Sequence, residues 1–248
     1  MSAARELGIV PQWPAPAGVR AFSTTRGGGV SHAPYASLNL ARHVGDRPGA
    51  VADNRARLRN ALGLAAEPRW LRQVHGTRVA DAAEGGGPPQ ADAAVAGGPG
   101  VVCAVLTADC LPVLLCDRAG SRVGVAHAGW RGLAAGVLEA VVGALDRAPV
   151  DLMAWLGPAI GPGRFEVGDE VRDGFLGRDA GAYSAFRRGA PGRWYADLYA
   201  LARRRLAACG VDAVYGGGWC TAGDPERFFS YRRDGVTGRM ATLIWLAA

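Results

Sequence analysis

The sequence contains no lysine, because all 28 of its basic residues are arginine. A Walker-type phosphate loop requires a lysine, and Schiff-base and pyridoxal-phosphate enzymes require a lysine amine. The sequence therefore excludes these enzyme classes. Arginine is the cation that remains, and its planar guanidinium binds phosphate or carboxylate but does not act as a base near neutral pH.

The sequence also lacks a membrane-spanning run and a recognisable secretory signal. Its longest apolar stretch, residues 101–116, is interrupted by Asp109 and Pro112 and is shorter than the roughly 20 residues that a spanning helix needs. Glu6 and Pro11 fall where a signal peptide would have its apolar segment. The five cysteines include no CxxC pair, which predicts reduced thiols. We therefore expect a cytoplasmic protein with no membrane partner.

The composition is that of a globular protein with a substantial core. Of the 248 residues, 49% are hydrophobic and 20% are charged, and one core can serve a chain of this length. Since the sequence shows no internal repeat or domain boundary, we predict a single domain over residues 1–248; a monomer is favoured. The net charge of +6 comes without a basic run that includes aromatic residues, so we expect no nucleic-acid partner.

Hydrophobic patterning predicts interleaved strands and helices. Short continuous apolar runs indicate strands buried on both faces, and they occur at residues 101–107, 112–116, 122–126, 153–156, 213–215 and 241–246. Apolar residues at helical spacing predict helices over about 53–62, 133–145 and 196–209. This alternation predicts an α/β or mixed α+β fold.

Three residues near predicted strand ends could form a reactive centre. His127 ends a buried strand just before a glycine turn into a helix, and Cys110 likewise ends a strand, directly after Asp109; His75 lies in a Gln-Val-His-Gly segment. Ligands of α/β proteins bind at strand ends, and two imidazoles with one thiolate leave an open position on a tetrahedral zinc. Two alternatives remain at this stage, namely hydrogen-bonded core histidines beside a buried cysteine, or Cys110 as a nucleophile with His127 as its base.

Two segments that combine arginine with glycine are candidate anion sites. Residues 22–29, FSTTRGGG, offer hydroxyls, the Arg26 guanidinium and freely turning backbone amides, the components of an anion cradle. An ordinary glycine-rich turn explains the same segment and is favoured. Residues 228–235 place Arg232 and Arg233 beside aromatic residues. On an extended strand at most one of these adjacent side chains enters a given pocket, and a solvated turn is the alternative.

These segments also form an ordered series of motifs that runs along nearly the whole chain. The motifs are FST-R-GG from Phe22, Pro34-Tyr35, SLNL from Ser37, HVGD from His43, Asn54-Arg55, QVHG from Gln73, TADC from Thr107, HAGWRG from His127, GPAI from Gly157, FEVG from Phe165, Cys220-Thr221 and the FSYRRDG–TGR tail from Phe229. In these motifs the chain resembles the YfiH family, first called laccase-like polyphenol oxidases and now described as purine nucleoside phosphorylases.

The resemblance implies a fold, a metal and a reaction. The implied fold is a layered sandwich of mixed β-sheets flanked by helices, and the implied metal is one Zn²⁺ bound by His75, Cys110 and His127. The implied reaction is phosphorolysis of adenosine, inosine or guanosine to the free base and ribose 1-phosphate. Adenosine deamination and cleavage of methylthioadenosine are further activities described for the family.

The resemblance also guides the choice of further site residues. Because arginine is the only phosphate-binding cation available, Arg26 and Arg233 are our candidates for the phosphate contact. Asp109 is predicted to act beside the metal ligands. Asn39 and His43 are predicted to contact the substrate or support the ligands.

Three rival functions stay open from the sequence. A copper-dependent polyphenol oxidase would use the same two imidazoles and thiolate, but four histidines in the whole chain are too few for the additional copper cluster of a laccase. A Cys110-dependent hydrolase acting in peptidoglycan editing is the second rival. A binding module without enzymatic activity is the third.

Overall fold

The computed structural model describes residues 6–247, so residues 1–5 and 248 of the predicted domain lie outside the described residues. The strands are β1 (Gly8–Ile9), β2 (Val19–Thr24), β3 (Val79–Asp81), β4 (Ala93–Ala96), β5 (Val102–Thr107), β6 (Leu111–Asp117), β7 (Val123–Ala128), β8 (Leu152–Leu156), β9 (Glu166–Gly168), β10 (Phe186–Arg188), β11 (Arg193–Ala196), β12 (Ala213–Gly216) and β13 (Met240–Leu246). The helices are α1 (Pro48–Leu62), α2 (Trp130–Ala135), α3 (Val137–Ala144), α4 (Asp169–Leu176), α5 (Leu198–Ala208) and α6 (Tyr231–Asp234), with short 3₁₀ turns at Pro149–Asp151 and Ala180–Ala185.

The strands form three sheets. A four-stranded antiparallel sheet has the order β1-β2-β13-β5, and a six-stranded mixed sheet has the order β12-β8-β6-β7-β4-β3. A small antiparallel sheet has the order β10-β11-β9. Every residue of β4 to β8 is buried, which confirms that the apolar runs near 101–107, 112–116, 122–126 and 153–156 are strands covered on both faces, whereas residues 213–215 of β12 are half-buried.

The two large sheets pack face to face, and the alternation of side chains along each strand separates the cores. Leu114 and Cys116 of β6 share one apolar cluster with Val105 of β5. Their neighbours Val113 and Leu115 point the opposite way, into a cluster built with residues of α3, α4 and α5. The six-stranded sheet is therefore covered by the other sheet on one face and by helices on the other.

The outer face of the four-stranded sheet is covered by α1. Phe22, Ala104 and Leu243 from three neighbouring strands share a cluster with Leu58 of α1. The order of layers is thus helix, sheet, sheet, helices. This arrangement confirms the predicted layered α/β sandwich of mixed sheets flanked by helices.

The helix bounds differ from the predicted ones for identifiable reasons. The first helix begins at Pro48, five residues before the predicted start, because proline is favoured in the first turn. The predicted helix over 133–145 is two helices, since Gly136 has a φ of 109° that breaks the right-handed turn. The predicted helix from residue 196 begins at Leu198, because the Asp197 carboxylate accepts from two backbone N–H groups at the N-terminus.

Several short strands were not predicted from the sequence. The strands β1, β3 and β9 to β11 have two to four residues each, too few to show a period. Within residues 6–247, no helix combines the length and the apolar character required to cross a membrane.

The packing of α3 against β7 gives a test of the layer order. Val141 of α3 is fully buried and lies 3.1 Å from the position that a Cβ at Gly124 of β7 would occupy. Val141→Ala is expected to lower the free energy of unfolding by about 2 kcal/mol, because it removes two methyl groups and leaves a cavity. The control Val150→Ala makes the same change at a side chain that is 72% exposed. Chemical denaturation measures both, and equal losses in the two variants would contradict the layer order.

Candidate metal centre

The structure brings His75, Cys110 and His127 together, although they come from three separate segments. One ligand atom of each residue lies within 4.8 Å of the other two, and the Cys110 Sγ lies 3.9 Å from the His75 Nε2. Ligand atoms around a tetrahedral zinc lie roughly 3.3–3.7 Å apart, given Zn–N and Zn–S bonds of about 2.0 and 2.3 Å. A small contraction of the cluster would therefore create the coordination sphere.

Cys110 and His127 meet because β6 and β7 are antiparallel neighbours. Cys110 immediately precedes β6, so it lies between two strands rather than at the end of one, and Asp109 makes the turn with a φ of 91°. His127 lies within β7, opposite Pro112 of β6. The pairing register thus places both ligands at the same end of the paired strands β6 and β7, in the middle of the six-stranded sheet.

Asp92 positions the ligands His75 and His127. Its side chain is fully buried, and it immediately precedes β4. Its carboxylate accepts hydrogen bonds from the backbone N–H groups of Val74, His75 and Gly76, at 3.1, 2.9 and 2.7 Å. These bonds hold the loop in which His75 has a φ of 60°, an uncommon value for a residue other than glycine. Asp92 therefore fixes the direction in which the His75 ring leaves the backbone.

The same carboxylate orients the His127 ring. The His127 Nδ1 lies 2.8 Å from the Asp92 Oδ1, and the His127 backbone N–H donates to the Asp92 carbonyl at 2.7 Å. A carboxylate at Nδ1 favours the tautomer that leaves Nε2 as the ligand atom. Asp92 was not predicted from the sequence, because the residues that it contacts lie 16 to 35 positions away along the chain.

Two glycines of the HAGWRG segment allow this close approach. A Cβ at Gly129 would lie 2.9 Å from the Cys110 Sγ and 2.9 Å from the His75 ring. A Cβ at Gly132 would lie 2.9 Å from the carbonyl oxygen of Gly76. The glycines therefore keep the space between the ligands clear and let α2 pack on the His75 loop.

The electrostatics of the cluster favour an ionised Cys110 thiol beside a protonated His127 imidazole. Burial alone would raise the pKa of the Cys110 thiol, but the charge of His127 and polar contacts with both imidazoles lower this pKa to about 6. Burial alone would lower the pKa of His127, but the Cys110 thiolate and the hydrogen bond to Asp92 raise it to about 9. The thiol is thus ready to lose its proton, as a metal ligand must.

The cluster lies in a cavity of about 260 Å³. His43, Gln73, Tyr231 and Arg239 also line it, together with Leu106, Thr107 and Ala108. His43 lines the same cavity, while its contact with a substrate stays a prediction, and its pKa is lowered by burial and by the charges of Arg239 and Arg55. The Gln73 amide is occupied, since it both donates to and accepts from the Leu106 backbone at 2.8 Å.

Arg239 supplies the positive charge of the cavity. Burial lowers its pKa, while the negative charges of Cys110 and Asp109 act in the opposite direction. Its recorded hydrogen bonds go from Nη1 to the carbonyls of Thr237 and Gly238, so the rest of the guanidinium fork stays available. Arg239 belongs to the TGR motif of the tail, and the sequence analysis chose Arg233 from the same tail.

Arg26 and Arg233, the predicted phosphate contacts, do not line this cavity. Arg26 donates to the carbonyls of Ala36 and Pro225, both at 2.9 Å. Arg233 donates to the carbonyls of Thr221 and Phe228, also at 2.9 Å, and pairs with its neighbour Asp234. The segment around Arg233 is the helix α6 rather than a strand or a solvated turn, and Ser230 caps it. Both guanidiniums are engaged in joining loops.

Asp109 and Asn39 are buried and fully engaged with the protein. The Asp109 carboxylate accepts from the hydroxyls of Thr221 and Ser230 and from the backbone N–H of Arg232, at 2.5, 3.0 and 2.7 Å. The Asn39 amide donates to Ala41 and Asp46 and accepts from the backbone N–H groups of Ala41 and Arg239. The predicted roles of these two residues at the reacting groups stay predictions; their contacts here join loops around the cavity.

Comparison with known proteins gives one family under two descriptions, a laccase and a purine nucleoside phosphorylase. A family model described as multi-copper polyphenol oxidoreductase laccase matches residues 20–247. A Pseudomonas aeruginosa protein named purine nucleoside phosphorylase is 58% identical over 96% of this chain and 98% of its own length. The Escherichia coli purine nucleoside phosphorylase YfiH is 56% identical over the same shares.

Solved structures agree with the sequence relatives. A crystal structure of a Neisseria meningitidis protein superposes with a TM-score of 0.94 at 53% identity, covering 97% of this chain and 99% of the other. The crystal structure of YlmD from Geobacillus stearothermophilus gives a TM-score of 0.85 at 34% identity, covering 97% and 100%. The matches extend over nearly the full length of the relatives, and the chain belongs to the YfiH family.

Proposed function

We propose that the chain is a zinc-dependent purine nucleoside phosphorylase. The single observation that carries the proposal is the convergence of His75, Cys110, His127 and Arg239 on one cavity. A metal ligand set and a phosphate-binding cation are thereby within reach of one small substrate. The names of the bacterial relatives support the choice of purine nucleosides and phosphate as substrates.

The donor set favours zinc over copper. Two imidazoles and one thiolate leave a fourth position open, the pattern of catalytic zinc sites. The oxygen-reducing cluster of a laccase needs further histidines, and of the remaining two His32 does not line the cavity and His43 stands alone beside the ligands. Within residues 6–247, one group of three or more potential ligands is brought together, the His75–Cys110–His127 cluster.

The reaction transfers a ribosyl group to phosphate. The bond between the ribose C1′ and the purine nitrogen breaks, its electron pair stays with the base, and a phosphate oxygen forms the new bond to C1′. The base takes up the proton that the hydrogen phosphate loses as it becomes the phosphate ester. Bound zinc would supply a Lewis acid that polarises the substrate. Arg239 holds the phosphate with its free guanidinium donors, and His43 contacts the nucleoside from the cavity wall.

The proposal extends to further properties of the chain. Adenosine deamination and cleavage of methylthioadenosine are proposed as additional activities of the same cavity, because both act on purine nucleosides and the first uses zinc to activate water. A single-domain monomer acting in the cytoplasm is the setting we propose. No nucleic-acid or membrane partner is part of the proposal.

Loss of one ligand tests the function directly. His75→Ala is expected to abolish both stoichiometric zinc binding, measured by elemental analysis, and formation of base from adenosine or inosine with phosphate, measured by chromatography. The fold should persist, because the His75 side chain is largely exposed. His32→Ala is the matched control, since His32 is exposed and lies outside the cluster.

Two results would overturn the proposal. One is full activity of His75→Ala. The other is activity that survives complete metal removal but is lost when Cys110 is alkylated, which would favour the Cys110 hydrolase. Stoichiometric copper with oxygen uptake would favour the oxidase.

Asp92 is expected to raise metal affinity without touching the metal. In Asp92→Asn the carboxylate that orients His127 and the His75 loop is replaced by an amide with one acceptor, so the zinc affinity should fall about 10–100-fold. Competition with a chromophoric chelator measures the change. Asp173→Asn is the control, because it makes the same substitution at a carboxylate that is 64% exposed. A folded Asp92→Asn protein with unchanged affinity would show that Asp92 only ties the loop.

Arg239 is expected to determine the affinity for phosphate. Arg239→Gln removes a cation from the cavity and should lower kcat/KM for phosphate at least about tenfold, with a smaller effect on the KM for the nucleoside. Steady-state kinetics with varied phosphate measures this, and Arg26→Gln serves as the comparison. A larger loss of phosphate affinity in Arg26→Gln would restore the prediction made from the sequence.

A further inference from the structure

A second cavity, of about 570 Å³, is lined by Arg42, the chain neighbour of His43. It is more than twice the volume of the metal cavity and shares none of its lining residues. Four arginines line it, namely Arg42, Arg55, Arg59 and Arg69. Two carboxylates, Glu67 and Glu84, line it as well, so the wall has an excess of positive charge.

Arg55 is a buried cation whose ion-pair partner, Glu67, is too distant for a hydrogen bond. Its side chain is 9% exposed and lies over the Trp70 ring, with 4.0 Å between the guanidinium carbon and the ring centroid. Two of its nitrogens donate to the carbonyl of Leu40. The third, Nη1, lies 3.8 Å from the Glu67 Oε1, too far for a hydrogen bond. A buried charge in this situation is costly unless a further partner binds it.

The lowered pKa of Arg55 reflects the cost of burying its charge. Burial and the nearby charge of Arg42 lower its pKa to about 10, and Glu67 only partly counteracts them. The two guanidiniums therefore repel each other across the cavity wall. An anion placed between them would remove this repulsion and satisfy the Nη1 donor.

Glu67 cannot neutralise all four arginines of the cavity, because its carboxylate is shared among several partners. Its Oε1 already accepts from the Trp70 Nε1 at 2.6 Å, and its Oε2 lies 3.8 Å from the Arg59 Nη1. The Arg69 Nε is buried without a hydrogen-bond partner, although the two other nitrogens donate to glycine carbonyls. Arg42 has no ion pair recorded among residues 6–247.

We propose that this cavity, which we call the Arg55 cavity, binds a small polyanion of the phosphate class. The volume suits a small molecule, and guanidinium forks match the geometry of phosphate oxygens. The site is independent of the proposed catalytic function, since it includes neither the metal ligands nor Arg239. Pyrophosphate is the simplest probe, because it places several oxygens between separated arginines.

Calorimetric titration with pyrophosphate at constant ionic strength tests the site. Binding of pyrophosphate is expected in the wild type and is expected to persist in both His75→Ala and Arg239→Gln, which separates this site from the metal cavity. Arg42→Gln and Arg59→Gln should each weaken binding at least about tenfold, because each removes a charged donor. Arg57→Gln should stay within about twofold, since Arg57 lies on the same helix with an exposed side chain and does not line the cavity.

Several results would overturn this proposal. One is the absence of pyrophosphate binding, and another is an equal loss in Arg57→Gln and Arg59→Gln, which would indicate net charge alone. Loss of binding in His75→Ala would place the anion at the metal cavity. Citrate serves as a carboxylate probe, and tighter binding of citrate than of pyrophosphate would contradict the phosphate class.

Discussion

The buried carboxylate of Asp92 is the constraint on which the metal centre depends. Its two oxygens accept three backbone N–H groups of the 74–76 loop and face the Nδ1 of His127. Burial would raise the pKa of this carboxyl, but the hydrogen bonds lower it overall, so Asp92 stays ionised. A buried anion with this many donors holds its partners firmly. Asp92 thereby converts a loop and a strand into one rigid support for two ligands.

The third ligand depends on the pairing of β6 with β7. Leu111 lies opposite Ala128 and Pro112 opposite His127, so Cys110 falls beside His127 only in this register. A shift by one residue would send every side chain of β6 to the other face. Because the two faces of β6 enter two different apolar cores, the cost of such a shift is spread over the whole sheet sandwich. The core therefore fixes the spacing of the ligands.

The sequence predicted the parts of the molecule in which local pattern and final environment agree. The strands β5 to β8 are apolar along their length, and the structure buries them on both faces, so their patterns were sufficient. The cluster of His75, Cys110 and His127 could be predicted as a hypothesis from residue type and strand ends. Asp92 could not, because it stands in an alanine-rich segment and its role depends on contacts with residues distant in sequence. The same holds for the short strands β9 to β11 of the small sheet, whose pairing partners rather than their own residues define them.

The main difference between the predictions from the sequence and the structure concerns the roles of arginine residues. The reason lies in the chemistry of the guanidinium group. A guanidinium has five N–H donors in a fixed fork, so it can join loops by binding carbonyl oxygens as well as bind anions. Arg26 and Arg233 do the first, although their motifs suggested the second. In a chain without lysine, residue type cannot separate these uses, and only the count of engaged donors can. By that criterion Arg239 retains part of its fork for the metal cavity, and Arg55 retains its Nη1 for the second cavity. Leu40 connects the two arginines, since its carbonyl accepts from the Arg55 side chain and its N–H donates to the Arg239 carbonyl, so one backbone segment contacts a residue of each cavity.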